Sequence, residues 1–471
     1  MVSFLSYGVP LSSIIDFSQS IPIFASASSS TAEIGPYILT SVLLSLIAIY
    51  IVSKLGGELS KRLDLPPVLG ELIGGVIVGI SALHLLVFPE AGSAASDSML
   101  MAALQSLGNL DAEAISKIFE SQSEIISVLA ELGVIVLLFE IGLESDLREL
   151  TKVGSQAAIV AVVGVTVPFT LGTVGLIWLF HAPLIPAIFA GAALTATSIG
   201  ITSKVLSELG YLKSTEGQII VGAAVIDDVL GIIVLAVVAS LAKTGEVDLL
   251  NVTYLILSAS GFLLGAIFLG KFFNKGFVTI ADKLQTRGAL IIPALTFALA
   301  MAVIANLIHL EAILGAFAAG LVLDETDKRK ELDRQIIPIA DILVPIFFVT
   351  VGAKADLGVL NPAIAENRAG LIIATFLIAV AILGKVVTGW AVFGQPGVNK
   401  LAIGVGMIPR GEVGLVFAGI GSASGVLDKP LEAAIIVMVI LTTFLAPPML
   451  QLALKGKEAE STVDDSDLST V

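Results

Sequence analysis

Long apolar runs dominate the pattern of hydrophobic and polar positions along this chain of 471 residues. Runs such as 185–202 and 219–242 are about 20 residues long. That length matches the roughly 30 Å of hydrocarbon that a helix with a rise of about 1.5 Å per residue has to cross. Every backbone group within lipid must be hydrogen-bonded internally, so helices are the elements that can supply these spans. The pattern therefore predicts an all-α polytopic membrane protein.

We predict thirteen transmembrane helices, each bounded by polar or turn-forming residues. The segment 99–121 is also helical in pattern, but charged residues such as Asp111 and Lys117 interrupt it, so we expect it to lie at the surface. The predicted spans are 36–56, 66–88, 123–143, 153–180, 184–207, 217–242, 252–273, 288–308, 310–324, 336–353, 369–393, 399–424 and 430–454.

Composition and charge support this topology. Hydrophobic residues make up 56% of the chain and charged residues only 14%, whereas about a quarter of a soluble domain is charged. With the N-terminus outside, eighteen Lys and Arg residues fall on the cytoplasmic side and five on the opposite side. This asymmetry follows the positive-inside rule and predicts an external N-terminus and a cytoplasmic C-terminus.

The cysteine and histidine content limits the kinds of catalytic and metal sites that this chain can form. The chain has no cysteine, which excludes disulfides, thiol catalysis and cysteine-ligated metals. Its three histidines, His84, His181 and His309, are scattered near predicted helix ends and cannot form a metal site on their own. We expect no cofactor.

Two pairs of segments resemble each other along the chain. Residues 68–78 are similar to 313–323, and 129–147 are similar to 339–357 at a constant offset of 210. In the predicted topology the two members of each pair cross the membrane in opposite directions. Inverted repeats of this kind are typical of secondary transporters, whose binding site lies near the midplane where the repeats meet.

The repeats predict a simple domain organisation. One transmembrane domain is expected between an extramembrane N-terminal segment and a short disordered cytoplasmic tail that is acidic and rich in Ser and Thr. The expected boundaries are 1–35 for the N-terminal segment, 36–454 for the transmembrane domain, about 36–242 and 288–454 for its inverted repeats, 252–273 for the linking helix and 455–471 for the tail.

Two adjacent carboxylates lie in the middle of one predicted span. Asp227 and Asp228 are about nine residues, or roughly 14 Å, inside the helix 217–242. Each of these aspartates adds about 2.5–3.5 kcal/mol to the free energy of membrane insertion at that depth. Neighbours on a helix point in different directions, so at least one must face a polar cavity or a cation. Lys385, deep in the span 369–393, is the expected partner; a lysine that extends to the membrane surface is the alternative.

Two other predicted spans contain helix-breaking sequences in their middle. Residues 191–202 combine glycines with hydroxyl side chains, and residues 404–414 contain a proline and two charges. The breaks lie close to one repeat offset apart, and unwound backbone at matched positions can coordinate an ion through freed carbonyls and helix ends. Close packing by small residues is the alternative for the first break. The candidate residues are Thr197, Ser198, Pro409, Arg410 and Glu412.

Five motifs occur in order along the chain. They are the Ala-Thr-Ser helix, Val-Ile-Asp-Asp-Val at 225–229, Pro-Ile-Phe-Phe-Val-Thr-Val-Gly at 345–352, Gly384-Lys385 and Ile-Pro-Arg-Gly-Glu at 408–412. Together they resemble the monovalent cation:proton antiporter-2 family of sodium/proton antiporter-like proteins. The resemblance covers about 36–454 and implies an inverted-repeat antiporter fold with two crossed discontinuous helices. It also implies a homodimer that works by an elevator-type movement within the lipid bilayer, and we expect no nucleic-acid partner.

The resemblance also implies a role for each motif. Asp228 would bind the cation, Na⁺ for instance, or the proton, and Asp227 would be salt-bridged to Lys385 when the cation is absent. The remaining candidates would act at the helix breaks: Thr197 and Ser198 at the first, Arg410 and Glu412 at the second. Relatives with a regulatory nucleotide-binding domain have a long soluble C-terminus. This chain ends some 17 residues after its last predicted span, so we expect no such domain.

We therefore predict a transporter and not an enzyme. In this prediction Na⁺ or Li⁺ competes with protons for Asp228, since both ions are hard cations that suit oxygen ligands. A potassium/proton antiporter, a sodium-coupled organic anion symporter and an ion channel stay open as alternatives. An intramembrane aspartyl protease is disfavoured because the two aspartates are adjacent and a Gly-x-Gly-Asp motif is absent. Glu140 is either an interfacial carboxylate or part of the ion path. We expect a prokaryotic cytoplasmic membrane, with the thylakoid as the alternative.

Overall fold

The computed structural model is all-helical over the residues that it describes, which are 29–244, 246–363 and 365–468. Some side chains within these ranges, including that of Glu412 and those after 455, are outside the description. The segment 1–28 lies outside the described residues, so its extramembrane location stays a prediction. The predicted disorder of the tail also stays a prediction.

The connection between α2 and α3, residues 79–98, contains two 3₁₀ turns, Pro89–Ala91 and Ala95–Asp97. A 3₁₀ turn, Val387–Ala391, continues α14. The bounds are α1 Ser29–Arg62, α2 Pro67–Val78, α3 Met99–Gly108, α4 Ala112–Glu144, α5 Leu147–Lys152, α6 Gly154–Phe180, α7 Leu184–Ala193, α8 Ile199–Glu208, α9 Thr215–Thr244, α10 Leu249–Lys283, α11 Ile291–Leu307, α12 Ala312–Asp324, α13 Arg329–Ala353, α14 Ala365–Val386, α15 Lys400–Gly406, α16 Glu412–Ala423 and α17 Lys429–Leu468.

Seven helical segments of the described residues are long and apolar enough to cross a membrane individually. This agrees with the predicted all-α polytopic class. Their bounds are Ile34–Arg62, Ala112–Glu144, Gly154–Phe180, Thr215–Leu241, Arg329–Leu360, Asn367–Ala391 and Lys429–Lys455.

Several predicted spans differ from the helices in length or continuity. The span predicted at 66–88 is an α-helix only over Pro67–Val78. The chain leaves this helix at Gly79, where an added Cβ would lie 2.3 Å from the carbonyl oxygen of Ala353. The segment 99–121, predicted to lie at the surface, contains α3 and the beginning of α4, because Asp111 caps a new helix by accepting the N–H of Ala114 at 2.7 Å.

The helices pack as two groups. The first group comprises α1, α2, α4, α11, α12 and α13, which contact one another closely. The second group comprises α6, α7, α9, α14, α16 and α17, whose buried residues, among them Leu176, Phe189 and Phe417, form an apolar cluster of their own. The short helices α8 and α15 continue the second group across the helix breaks. The site described below lies where these breaks meet.

Within the first group, segments that are similar in sequence also pack in similar ways. A Cβ added at Gly142 on α4 would lie 2.9 Å from Cα of Gly320 on α12. A Cβ added at Gly352 on α13 would lie 3.0 Å from Cα of Gly75 on α2. The offset of 210 relates Gly142 to Gly352, and an offset of 245 relates Gly75 to Gly320. Both contacts need glycine because the helix backbones touch, and similar segments therefore make equivalent contacts.

Candidate functional site

A buried ion pair lies at the centre of the second group. Nζ of Lys385 on α14 is 3.0 Å from Oδ2 of Asp227 on α9, and both side chains are fully buried. The same ammonium donates a hydrogen bond to the carbonyl of Thr195 at 2.7 Å. The lysine therefore does not extend to the membrane surface. Its charge is balanced inside the protein by the carboxylate and by a backbone dipole.

Asp228, the next residue on α9, is directed elsewhere. Its side chain is only 5% exposed and lines a small cavity together with Thr197, Ser198, Glu311 and Gly411. Adjacent helical residues point about 100° apart, which is why one carboxylate reaches Lys385 and the other reaches this cavity. The cavity brings oxygen-bearing side chains from three parts of the chain to one place.

The two helix breaks touch each other at this cavity. The first separates α7 from α8 and the second separates α15 from α16. The N–H of Ser198 donates to the carbonyl of Pro409 at 2.8 Å. The hydroxyls of Thr197 and Thr202 donate to the carbonyls of Met407 at 3.1 Å and Gly406 at 2.9 Å. Each break thus supplies hydrogen-bond partners for backbone groups that the other leaves open, as unwound backbone within a membrane requires.

Arg410 holds the ends of both interrupted helices. It is fully buried, and its guanidinium donates to the carbonyls of Leu194 at 2.7 Å, Ile408 at 3.1 Å and Met407 at 3.3 Å. Leu194 caps the C-terminus of α7, and Met407 caps that of α15. A cation is favourable at such ends because the carbonyls there carry partial negative charge. The arginine therefore stabilises the contact between the two helix breaks.

The other predicted residues of the second break differ in how far they are described. Pro409 is buried, and its carbonyl accepts the N–H of Ser198. Glu412 is the first residue of α16, but its side chain lies outside the described part of the chain. Its proposed support of the break therefore stays a prediction.

Sequence reasoning missed two contributors to the site. Glu311, which precedes α12, lines the cavity with Asp228. Thr443 on α17 donates its hydroxyl to the carbonyl of Arg410. Glu311 is at the start of a predicted span, where carboxylates are common and do not indicate a binding site. Thr443 is one of several hydroxyl residues in an apolar helix. No local signal distinguishes either residue.

A large cavity of about 740 Å³ leads from one side of the protein towards the second helix break. Its walls come from α4 and α13 of the first group and from α9, α16 and α17 of the second. At its outer end Lys354 is paired with Glu90. At its inner end it reaches Arg410 and Gly411. We call this cavity the outer funnel. It separates the two helix groups on one side of the site.

The side chains that line the small cavity offer oxygen donors, from a carboxylate and from hydroxyls. Among the described residues no group of three or more His, Asp or Glu side chains is arranged to hold a metal ion. A carboxylate, hydroxyls and backbone carbonyls are hard oxygen ligands.

Comparison with known proteins identifies the family of this chain. The family described as sodium/hydrogen exchanger, transmembrane, matches residues 42–456. The chain is 61% identical over 439 residues to the high-affinity Na⁺/H⁺ antiporter NhaS3 of Synechocystis sp., covering 93% of this chain and 95% of that protein. It is 32% identical over 418 residues to the Na⁺/H⁺-K⁺ antiporter GerN of Bacillus cereus, covering 88% and 96%.

The fold has a solved counterpart. The sodium proton antiporter MjNhaP1 from Methanocaldococcus jannaschii, determined at pH 8, superimposes with a TM-score of 0.58 at 18% sequence identity. The match covers 89% of this chain and 99% of that one. The predicted resemblance to sodium/proton antiporter-like proteins is therefore confirmed. The chain belongs to the sodium/hydrogen exchanger family and is a multi-pass membrane transporter, not an enzyme.

Proposed function

We propose that this protein exchanges a monovalent cation, Na⁺ or Li⁺ in preference, for protons by alternating access at Asp228. The observation that carries the proposal is the position of that carboxylate. It lines a cavity where two helix breaks touch, and the preceding residue, Asp227, forms a fully buried ion pair with Lys385. The two relatives described above are named as Na⁺/H⁺ and Na⁺/H⁺-K⁺ antiporters, which supports the same activity.

Competition at one carboxylate couples the two fluxes. Asp228 holds either a proton or a dehydrated cation, and Thr197 and Ser198 supply further oxygen atoms at the cavity wall. An unneutralised carboxylate is costly to carry through the low-dielectric interior, whereas the protonated or cation-loaded form is not. The empty charged site therefore does not cross, and each cation that moves one way requires a proton to move the other.

Lys385 is proposed to stabilise the cation-free state through Asp227, and its protonation decides the stoichiometry. If cation binding also releases a proton from Lys385, two protons exchange for one cation and transport is electrogenic. If Lys385 keeps its proton, exchange is one for one. Dependence of the exchange rate on an imposed membrane potential distinguishes these two outcomes.

The transmembrane arrangement belongs to the same proposal. We propose thirteen membrane spans, with the interrupted pairs α7–α8 and α15–α16 each counted as one; seven long apolar helices and several shorter ones support this number. We further propose inverted repeats, a homodimer and an elevator-type movement of the second group against the first. The 61% identical relative comes from a cyanobacterium, so a cytoplasmic or thylakoid membrane fits.

The test is exchange in proteoliposomes loaded at an acidic internal pH. Addition of external Na⁺ or Li⁺ is expected to dissipate the pH gradient, and Asp228→Asn is expected to abolish the response. Asp327→Asn, an exposed aspartate between α12 and α13, is the matched control and should exchange at the wild-type rate. Undiminished exchange by Asp228→Asn would refute the site assignment.

A potassium/proton antiporter is the second candidate. The observation that favours it is the name of the Bacillus cereus relative, which includes K⁺. The same assay decides between the candidates when Na⁺, Li⁺ and K⁺ are compared at equal concentration. A pH response to K⁺ that equals or exceeds the response to Na⁺ would replace the first proposal by the second.

A further inference from the structure

The small cavity that Asp228 lines contains a second carboxylate, that of Glu311. Thr197 and Ser198 also line it, and none of the described residues in its wall carries a positive charge. Two carboxylates at one small, poorly solvated cavity repel each other unless a cation or a proton lies between them. The two carboxylates together therefore favour a bound cation more strongly than Asp228 does alone.

The two carboxylates belong to different helix groups. Asp228 lies on α9 of the second group, whereas Glu311 directly precedes α12, which packs against α4 and α11 of the first group. Apart from Glu311 and the nearby Ile313, the residues of the cavity wall come from α9 and from the two helix breaks with their adjoining helices, all in the second group. Glu311 is therefore the charged side chain that the first group contributes to this cavity.

A tight turn between α11 and α12 fixes the backbone of Glu311. The N–H of Leu310 donates to the carbonyl of Ala305 at 2.9 Å, which closes the end of α11 in the Schellman manner. A Cβ added at Gly315 would lie 2.2 Å from the carbonyl oxygen of Met301, so the backbones of α12 and α11 touch within one turn of Glu311. The carboxylate is thus attached to a rigid part of the first group.

The length of α12 explains how a carboxylate at a helix end lies deep in the protein. The helix has 13 residues and rises about 20 Å, which is less than the roughly 30 Å of hydrocarbon. A helix of this length begins below one membrane surface when it ends at the other. Glu311 is half-buried and lines both the small cavity and the outer funnel, which opens on the side that the Lys and Arg distribution predicts to be external.

A purely structural role at the start of α12 is the alternative. An acidic side chain near a helix N-terminus is stabilised by the helix dipole. However, Glu311 makes no capping hydrogen bond to the N–H groups of α12, whereas Asp111 caps α4 in that way. The position of the Glu311 side chain at the cavity wall therefore fits contact with a cation better than capping.

We propose that Glu311 is a second carboxylate for the transported cation, present only while Asp228 faces the outer funnel. The inference rests on the exchange function proposed above and on the proposed movement of the second group. When that group moves, Asp228 leaves Glu311 behind, because Glu311 is fixed to the first group. The cation is then held by one carboxylate in place of two. Glu311 accordingly raises the affinity for the cation on the outer side of the membrane only.

The test compares the KM for Na⁺ on the two sides of the membrane. Glu311→Gln keeps the size of the side chain and removes its charge. We expect the ratio of the outer KM to the cytoplasmic KM to rise about tenfold, as for the loss of one charged contact. Right-side-out and everted vesicles provide the two values. An equal rise on both sides, or an unchanged ratio, would overturn the proposal.

Glu131→Gln is the matched control. Glu131 is an exposed carboxylate of α4 that lines the outer funnel but not the small cavity. A carboxylate that only attracts cations over a distance is screened by salt. We therefore expect Glu131→Gln to change the KM ratio less than about twofold, and about 0.5 M choline chloride to remove that change. The effect of Glu311→Gln should persist in this salt, and its disappearance would show that Glu311 only attracts cations to the funnel.

A charge-rescue experiment separates the loss of charge from a defect in folding. The chain has no cysteine, so Glu311→Cys gives a single thiol that external reagents reach through the outer funnel after the protein has folded. A sulfonatoethyl thiosulfonate adds a negative charge and is expected to restore part of the lost affinity for external Na⁺. A trimethylammonium thiosulfonate adds a positive charge and is expected to lower that affinity further. Identical effects of the two reagents would contradict the proposal.

The two proposals fail separately. Absence of Na⁺-dependent exchange in the wild-type protein would defeat the proposed function. Wild-type exchange that is lost in Asp228→Asn, together with an unchanged KM ratio in Glu311→Gln, would defeat the role of Glu311 alone.

Discussion

The ion pair between Lys385 and Asp227 offers the sharpest energetic prediction. Both side chains are fully buried, and their charged atoms are 3.0 Å apart. Lys385→Ala would leave Asp227 without its counter-ion and the carbonyl of Thr195 without a donor. Removal of one member of a buried pair typically costs about 3–5 kcal/mol, because the remaining charge is desolvated and uncompensated. We therefore expect each single variant, Lys385→Ala or Asp227→Ala, to lower the free energy of unfolding by about that amount.

Replacement of both charges together should be far less costly. Asp227→Asn combined with Lys385→Met removes both ions and keeps similar volumes, a change that is often nearly neutral for buried pairs. A double-mutant cycle built from Asp227→Asn and Lys385→Met should therefore give a coupling energy of about 2–3 kcal/mol. Unfolding equilibria in detergent micelles, followed by tryptophan fluorescence or circular dichroism, measure all four corners of the cycle.

An exposed pair on α4 provides the control. Lys117 and Glu113 are 2.7 Å apart in an i,i+4 arrangement, with half or more of each side chain exposed. The same cycle there should give a coupling energy of no more than about 0.5 kcal/mol. Additive effects of the two substitutions at Lys385 and Asp227, within about 0.5 kcal/mol, would show that the buried pair is not energetically coupled and would refute the reasoning.

Two further predictions concern the helix contacts. In Gly352→Ala the new Cβ would lie 2.1 Å from the carbonyl oxygen of Leu72, so we expect a loss of about 1–3 kcal/mol of stability; Gly419→Ala, where no atom lies within 4 Å, should be neutral in the same unfolding assay. Arg410→Met would leave the carbonyl of Leu194 without its donor at the end of α7, so we expect a loss of about 1–3 kcal/mol together with loss of exchange; wild-type exchange by this variant would contradict its proposed role at the crossing.

Features that depend on short stretches of chain could be predicted from the amino-acid sequence alone. Apolar runs of membrane-spanning length predicted the helices, since insertion depends on local hydropathy and on internal backbone hydrogen bonding. The same logic identified Asp227 and Asp228 as unusual, because a carboxylate deep in an apolar span is costly wherever the rest of the chain lies. Glycine, proline and hydroxyl residues in the middle of a span likewise predicted two interrupted helices.

Tertiary structure decided everything that joins distant residues. The position of Lys385 deep in an apolar span predicted that it is a partner for Asp227, but only the tertiary structure gives the distance between them. Arg410 was expected to support its own break, whereas its guanidinium also holds Leu194, 216 positions earlier in the chain. Glu311 reaches the cavity of Asp228 only because the start of α12 lies beside the two helix breaks. The reason is physical: spans form from local free energies, whereas contacts between spans depend on which helix faces meet.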